Sequence, residues 1–433
     1  MLQRSGNHPI HEIFALFWSH IYPPPVVSPN DLATLVATDW EETSVKVNHR
    51  VREIGTSPLI AFCIVCSAIA PLSQTAAAAT TSTLSIDKMV AECDEKAGAF
   101  YDKDRPTKNG YVEFVAINPV EAISSCQKAF DLRGNDRHVA FNLGRAYVSG
   151  KNYAMGNVFL ERAIDQGSTA AMVALSTIYA DGIGTDIDTR KSFELLSRAS
   201  AAGNDTATAT LGADYLWGRN GLTRDVAKAL PLLKTAADLG NAQAMYYLGE
   251  HSWAGLGPKG DFSSARYWFE KGAAAGEPNA MVNLGRLYRF GVGGLKKDYV
   301  TARSWYDKAN KLGARSAPTQ IGLLYEEGLG TPQNYGLARQ WYEKGIITGD
   351  QESFALLASL YERGLGVTKD NEKAAALYSQ AAAKGSSFAM QQLGQMYIKG
   401  KGVAKDVVRG EKLIADAKSK YIASCNCGRD QAY

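Results

Sequence analysis

A short landmark returns eight times along the 433 residues and leaves room for one kind of architecture. An apolar residue is followed by a small one, usually Gly, then by two variable positions and usually Tyr. The eight instances begin at Leu143, Leu175, Leu211, Leu248, Leu284, Ile321, Leu357 and Leu393, with steps of 32, 36, 37, 36, 37, 36 and 36. Such a period marks stacked supersecondary units, each too small to bury its apolar face alone.

Each unit reads as two helices. In the first, the Leu and the Tyr stand four apart and share a face, as Leu284 and Tyr288 do. The Gly between them lets a neighbouring helix approach. Gly-x-Gly turns then end the helix at Gly182–Gly184, Gly255–Gly257, Gly328–Gly330, Gly364–Gly366 and Gly400–Gly402, with Gly291–Gly293 a lengthened sixth. Gly there supplies a left-handed backbone without a side-chain clash. Asp225, Asp261, Asp298, Asn334 and Asp370 stand four residues before Ala229, Ala265, Ala302, Ala338 and Ala374. They are expected to cap the second helix. Large residues follow on one stripe: Leu232 and Leu233, Tyr267 and Trp268, Trp305 and Tyr306, Trp341 and Tyr342, Leu377 and Tyr378. Their recurrence at one place per unit points to core packing, so Trp305→Ala is expected to cost about 3–5 kcal/mol. The Gly-rich turns are not phosphate loops, because no Lys-Ser/Thr follows and they join helix to helix.

The pattern Ala-x-x-x-Leu-Gly-x-x-Tyr, Gly-x-Gly, Asp-x-x-x-Ala and a Trp-Tyr pair resembles the Sel-like repeat, a relative of the tetratricopeptide repeat. The match runs from about Arg137 to Ala417. The resemblance implies an all-α fold, a right-handed α/α solenoid of about eight repeats, over residues 136–420. Unit one, with the short turn at Ser149–Tyr153, is closer to a plain tetratricopeptide unit, and unit four has Ser252 where Tyr is usual. Upstream, residues 85–135 carry Cys93 and Cys126 and resemble the cysteine-bearing helical cap of exported bacterial repeat proteins. That segment should cover the apolar end of unit one. The tail over 421–433 is expected to be flexible.

An apolar run from Pro58 to Leu72 follows Arg50 and Arg52 and precedes Ala76–Ala79. Positive flank, short apolar core and small-residue exit are the layout of a secretory signal over residues 50–79. The alternatives are a retained anchor and a buried core segment. Residues 1–49 show no period and contain Pro23–Pro25. They are expected to be a disordered or mis-called leader, with translation starting near Val51. Removing the signal leaves four cysteines, Cys93, Cys126, Cys425 and Cys427. An even count in an exported chain favours pairing. A Cys93–Cys126 bridge is expected, two buried thiols being the alternative. Cys425 and Cys427 read as part of an inert tail, with metal binding or pairing between chains as alternatives.

Charge and motif content narrow the function. The balance of 47 basic against 44 acidic residues is too even for a nucleic-acid reader. Of six His, four lie in the first 49 residues, which argues against a His-rich metal site in the body. No nucleophile elbow, Ser-x-x-Lys box or His-Glu-x-x-His is present within the repeats, residues 136–420. The expectation is therefore no enzyme, no cofactor and no small-molecule substrate. It is instead a periplasmic or secreted scaffold that holds a protein or peptide on its concave face, in a regulatory role. The resemblance offers a precedent in periplasmic repeat proteins that restrain a membrane sensor kinase and so control polysaccharide synthesis. The alternatives are a scaffold for cell-wall enzymes, a membrane-anchored assembly factor if the apolar segment is retained, and a cell-wall or β-lactam-binding member. That last group carries a Cys pair in each repeat, and this chain does not. In tetratricopeptide-like units the first helix lines the concave face. That places Asn142, Asn283 and Gln320, just before the small-residue pair, and Arg145 and Arg286, just after it, as partner-binding candidates. Asn can bond an extended backbone and Arg can fork onto a carboxylate.

Overall fold

A computed structural model describes residues 85–99, 102, 116–134, 136–254 and 261–426. The leader over 1–49 and the signal-like segment over 50–79 lie outside the described residues. Among the described residues three quarters are helical, in 18 helices, and none is in a strand. Residues 86–433 form one compact unit. No described helix is long and apolar enough to cross a membrane.

Two helices precede the array, α1 over residues 85–97 and α2 over Pro119–Arg133. Eight antiparallel pairs follow in chain order. They are α3 (Arg137–Ser149) with α4 (Tyr153–Asp165), α5 (Thr169–Asp181) with α6 (Thr189–Ala201), α7 (Asp205–Trp217) with α8 (Val226–Asp238), and α9 (Ala242–Ala254) with α10 (Phe262–Ala274). Then come α11 (Pro278–Phe290) with α12 (Tyr299–Lys311), α13 (Ala317–Glu327) with α14 (Tyr335–Ile347), α15 (Gln351–Arg363) with α16 (Asn371–Ala383), and α17 (Ser387–Lys399) with α18 (Val407–Asn426). The last helix runs to Asn426, so residues 421–426 are helical rather than the flexible tail expected there, and residues 427–433 lie outside the described residues.

The expected caps form. Asp225, Asp261, Asp298, Asn334 and Asp370 each accept from the backbone N–H three residues on, satisfying an orphan donor of the second helix. The described turns hold Gly at positive φ, 68° and 67° at Gly328 and Gly330. The second Gly has another task. A Cβ at Gly330 would stand 2.8 Å from the Cβ of Tyr299, at the start of the preceding unit's second helix.

The small residue of the landmark is explained by the residue facing it. A Cβ on Gly285 would lie 2.5 Å from Tyr306 Cε1, and one on Gly322 the same distance from Tyr342 Cε1. Leu233 fills this position against Gly212 and Phe269 fills it against Gly249. The fully buried column is therefore Leu233, Phe269, Tyr306, Tyr342 and Tyr378. This corrects the reading of the aromatic pairs. Trp305 and Trp341, the first members, are only half-buried, because they sit one position round the helix from the small residue. In unit four Phe269 takes the core place and Tyr267 stays exposed.

Those three tyrosines differ in one respect. Tyr342 donates its O–H to Glu326 at 2.6 Å, and Tyr378 donates to Glu362 at 3.1 Å. The matching position in unit five is Arg289, which cannot accept, and the buried Tyr306 hydroxyl has no partner among the described residues. Tyr342→Phe is therefore expected to cost about 1.5–3 kcal/mol, the worth of a hydrogen bond to a charged group. Tyr306→Phe is expected to be neutral or stabilising. Urea unfolding of the two variants, side by side, reads the difference.

Adjacent units are also stitched at their helix starts. Asn204 caps α7 and donates its side-chain amide to Thr169, the first residue of α5, at 3.0 Å. Asn241 repeats this one unit on, capping Ala244 and donating to Asp205 at 3.0 Å. First helices of neighbouring units touch across α7, α9 and α11, with no comparable contact between second helices. The first helices thus form the more closely packed, inner side of the described array.

Candidate partner-binding face

At unit one the inner face is already covered. Cys93 of α1 and Cys126 of α2 are joined by a disulfide, both fully buried. The expected bridge is thus present, and it fixes α1 against α2. The end of α1 then lies on the inner side of α3. Arg145 donates to the carbonyl of Ala97, one of the helix-end carbonyls that lack an intrahelical donor. His138 places Nδ1 2.5 Å from Asp102 and Nε2 3.4 Å from Asp94, with Asn142 beside the ring at 3.3 Å. Burial alone would lower the His138 pKa, but hydrogen bonds from the ring to Asp102 and Asp94 outweigh it and raise the value to about 9. The raised pKa favours the protonated ring, which puts one positive charge beside two buried aspartates.

This corrects the expectation for unit one. Asn142 and Arg145 are 0% and 3% exposed, held by the cap rather than open to a partner. Two of the expected contacts are thereby internal ones. The reason is chemical, since a helix end and two aspartates of the cap satisfy the donors that a partner would otherwise meet.

The other three candidates fall on units five and six, with different degrees of access. Asn283 is buried and donates to Glu250 of the preceding unit. Gln320 is buried, with its side-chain oxygen 3.5 Å from Arg289 Nη1. Arg289 also forks onto both carboxylate oxygens of Glu327 at 2.7 Å. Thr319 bonds Asp350 and lies 2.5 Å from the Ser353 hydroxyl. These contacts bind first helix to first helix, so Asn283 and Gln320 serve the array before any partner. Arg286 is different. It is half-buried, and it makes no hydrogen bond or ion pair with a described residue. Its charge is felt by Glu250 on one side and Glu352 on the other.

Carboxylates along this face are uneasy as anions. Burial raises the pKa of Glu250, partly offset by Asn283 and Arg286. Burial likewise raises Asp214, opposed by Asn220 and Arg219, and Glu277, opposed by its capping contacts to Asn279. Glu352 keeps contact with water, yet the protein around it raises its pKa as well, with Arg286 opposing. The inner wall removes water from groups that are still reachable from outside.

Three features of the face were missed from sequence. His138 was set aside as a lone histidine, although it is the centre of the cap. Its partners are 36 and 44 positions upstream, which no local spacing reveals. Arg289 was legible, since it stands one residue after the landmark Tyr288 where Glu326 and Glu362 follow Tyr325 and Tyr361. Trp217 and Tyr247 were passed over because neither repeats. No three His, Cys, Asp or Glu side chains among the described residues converge as a metal site would require.

Comparison with known proteins bears on the whole array. The Sel1 repeat model matches at residues 138–168, 169–204, 207–241, 242–277, 278–313, 319–346, 355–386 and 387–414. An exopolysaccharide production negative regulator of Rhizobium leguminosarum bv. viciae is 26% identical over 185 residues, covering 38% of this chain and 69% of that protein. Among solved structures, a Sel1 repeat protein from Oxalobacter formigenes is 26% identical over 74% of this chain and 98% of its own, with a TM-score of 0.44. The protective antigen c5321 of uropathogenic Escherichia coli, which displays the SLR fold, is 24% identical over 73% of this chain and 78% of its own, with a TM-score of 0.43. Eight matched repeats coincide with the eight landmarks and the eight helix pairs, and the chain belongs to the Sel1 repeat family.

Proposed function

We propose that this protein is an exported, non-catalytic scaffold that holds a polypeptide partner on the inner face of units four to seven and regulates it. Sel1 repeats are in general protein-interaction scaffolds, and the finer reading rests on one observation. The inner face of unit one grips a stretch of polypeptide, the chain's own cap, through Arg145 on a backbone carbonyl and His138 on two carboxylates. Unit five carries the same Asn-x-x-Arg spacing in Asn283 and Arg286, where Asn283 is buried against Glu250 and Arg286 makes no hydrogen bond or ion pair with a described residue. The buried Cys93–Cys126 bridge suits an oxidising compartment and so supports export. The regulatory role is taken from the similar Rhizobium protein, a negative regulator of exopolysaccharide production.

Capture from an envelope extract of the source cells tests the reading, with full-length protein as bait beside Arg286→Ala. A partner retained by the parent protein is expected to fall at least tenfold on the variant, with far-UV circular dichroism unchanged. Equal capture by both would reject the inner face of unit five as the contact. Recovery of the protein in the cytosolic fraction with Cys93 and Cys126 reduced would reject export.

A further inference from the structure

We propose that the inner face between α7 and α11 is a receptor for a cationic side chain, and that the polypeptide this scaffold holds presents an arginine or lysine there. The inference rests on the scaffold reading above and adds the chemistry of the partner.

An aromatic wall is the first part of the argument. Trp217 closes α7 and is 41% exposed, unusual for the largest apolar side chain. Tyr247 of α9 meets it edge to face, ring centres 4.9 Å apart, and Tyr246 follows at 5.5 Å from Tyr247. Ring faces left open to water bind cations through their quadrupole, and bind them better when partly desolvated.

Three carboxylates surround the wall. Asp214 lies one turn before Trp217, Glu250 follows Tyr247 on α9, and Glu277 caps α11. The charges of Asp214 and Glu277 reach Tyr247, and those of Glu250 and Glu277 reach Tyr246. Their hydrogen-bond partners are neutral amides: Asn220 for Asp214 at 3.0 Å, Asn283 for Glu250 and Asn279 for Glu277 at 2.9 Å. None of the three forms an ion pair with a described residue. Burial opposes their ionisation, so an added cation gains more here than on open surface.

The chain itself supplies a stand-in. Arg219, just past the end of α7, lays its guanidinium over Trp217 with Cζ 4.5 Å from the ring centre. The indole thus already accepts a planar cation on one side. Arg219 also reaches Tyr247, and the Arg286 charge reaches Tyr246 and Glu250, so two of the chain's own cations border the wall against three carboxylates. Glu277 has no cation beside it, and a partner's guanidinium or ammonium has the charge to complete the balance. A polyanion would meet the carboxylates first and be repelled.

Peptide binding to the full chain tests this, using acetyl-Arg-Arg-Arg-amide, its lysine and glutamate analogues, and the citrulline analogue, which keeps the arginine shape without the charge. Calorimetry at low salt is expected to show the arginine and lysine peptides binding at least tenfold more tightly than the citrulline peptide, with none for glutamate. Trp217→Ala and the pair Glu250→Gln with Glu277→Gln are each expected to weaken the arginine peptide at least fivefold. Equal affinity for the arginine and citrulline peptides overturns the proposal without any variant, as does arginine binding that ignores both substitutions. Partner capture lost in Arg286→Ala but kept in Trp217→Ala and the Glu pair would remove the cation receptor and leave the scaffold reading intact. Charge-dependent peptide binding with no Arg286-dependent partner would do the reverse.

Discussion

His138→Ala is expected to lower the free energy of unfolding by about 3–5 kcal/mol, the loss typical when one member of a buried, bonded charge group is removed. Asp94 and Asp102 are nearly inaccessible to water, and without the ring each would lose a buried hydrogen-bond partner. The disulfide would still hold α1 to α2, but the inner side of α3 would lose its cover. The same arrangement sets a pH dependence. Because the folded-state pKa is raised from 6.5 to about 9, the stabilisation is complete below pH 6.5 and is lost as pH climbs through about 9. Its size is about 3 kcal/mol. Thermal melts from pH 6 to 10 are expected to show this decline in the parent protein and a flatter profile in His138→Gln. An identical profile in that variant would mean the ring is not the titrating group. Arg145→Ala is expected to destabilise as well, because it strips the donor from the Ala97 carbonyl.

Tyr306→Ala is the other large effect, expected to cost about 3–5 kcal/mol as a fully buried aromatic truncated to a methyl. The ring lies against Gly285, whose missing side chain makes the space, and nothing on the facing helix can move in to fill it. Trp305→Ala, one residue earlier, is expected to cost clearly less, since half of that indole already meets water. Chemical denaturation of the two variants checks the order. Equal losses would place the core of unit five elsewhere. Phe269→Ala should follow Tyr306→Ala, because it occupies the same place against Gly249.

How far the sequence carried the reading depends on whether a feature repeats. The helix pairs, the Asp and Asn caps and the Gly turns recur every 36 or 37 residues, and recurrence turns a weak local preference into a pattern. The pairing of each landmark Gly with a ring or Leu of the second helix needed coordinates, since the two stand 20 or 21 positions apart and the adjacent Trp looks equally apolar. The face was legible in position but not in access. Asn283 and Gln320 do lie on first helices, yet Glu250 and Arg289 of the neighbouring units consume their hydrogen bonds. Arg145 was misjudged for a different reason. What covers it comes from a segment outside the repeat, and periodicity says nothing about its neighbours. Trp217 and Tyr247 break the repeat, so periodicity gave no reason to single out their rings.

The covalent bond between Cys93 and Cys126 guards one end of the array. A stack whose units touch only their neighbours comes apart from an end, because an end unit has one interface to lose instead of two. Among the described residues the first unit is clasped by a stapled, charge-locked cap, so opening from the amino end has to break that cluster before it can travel along the array. A polypeptide lying across units four to seven would add a second brake, further along, on the unravelling of the molecule that carries it.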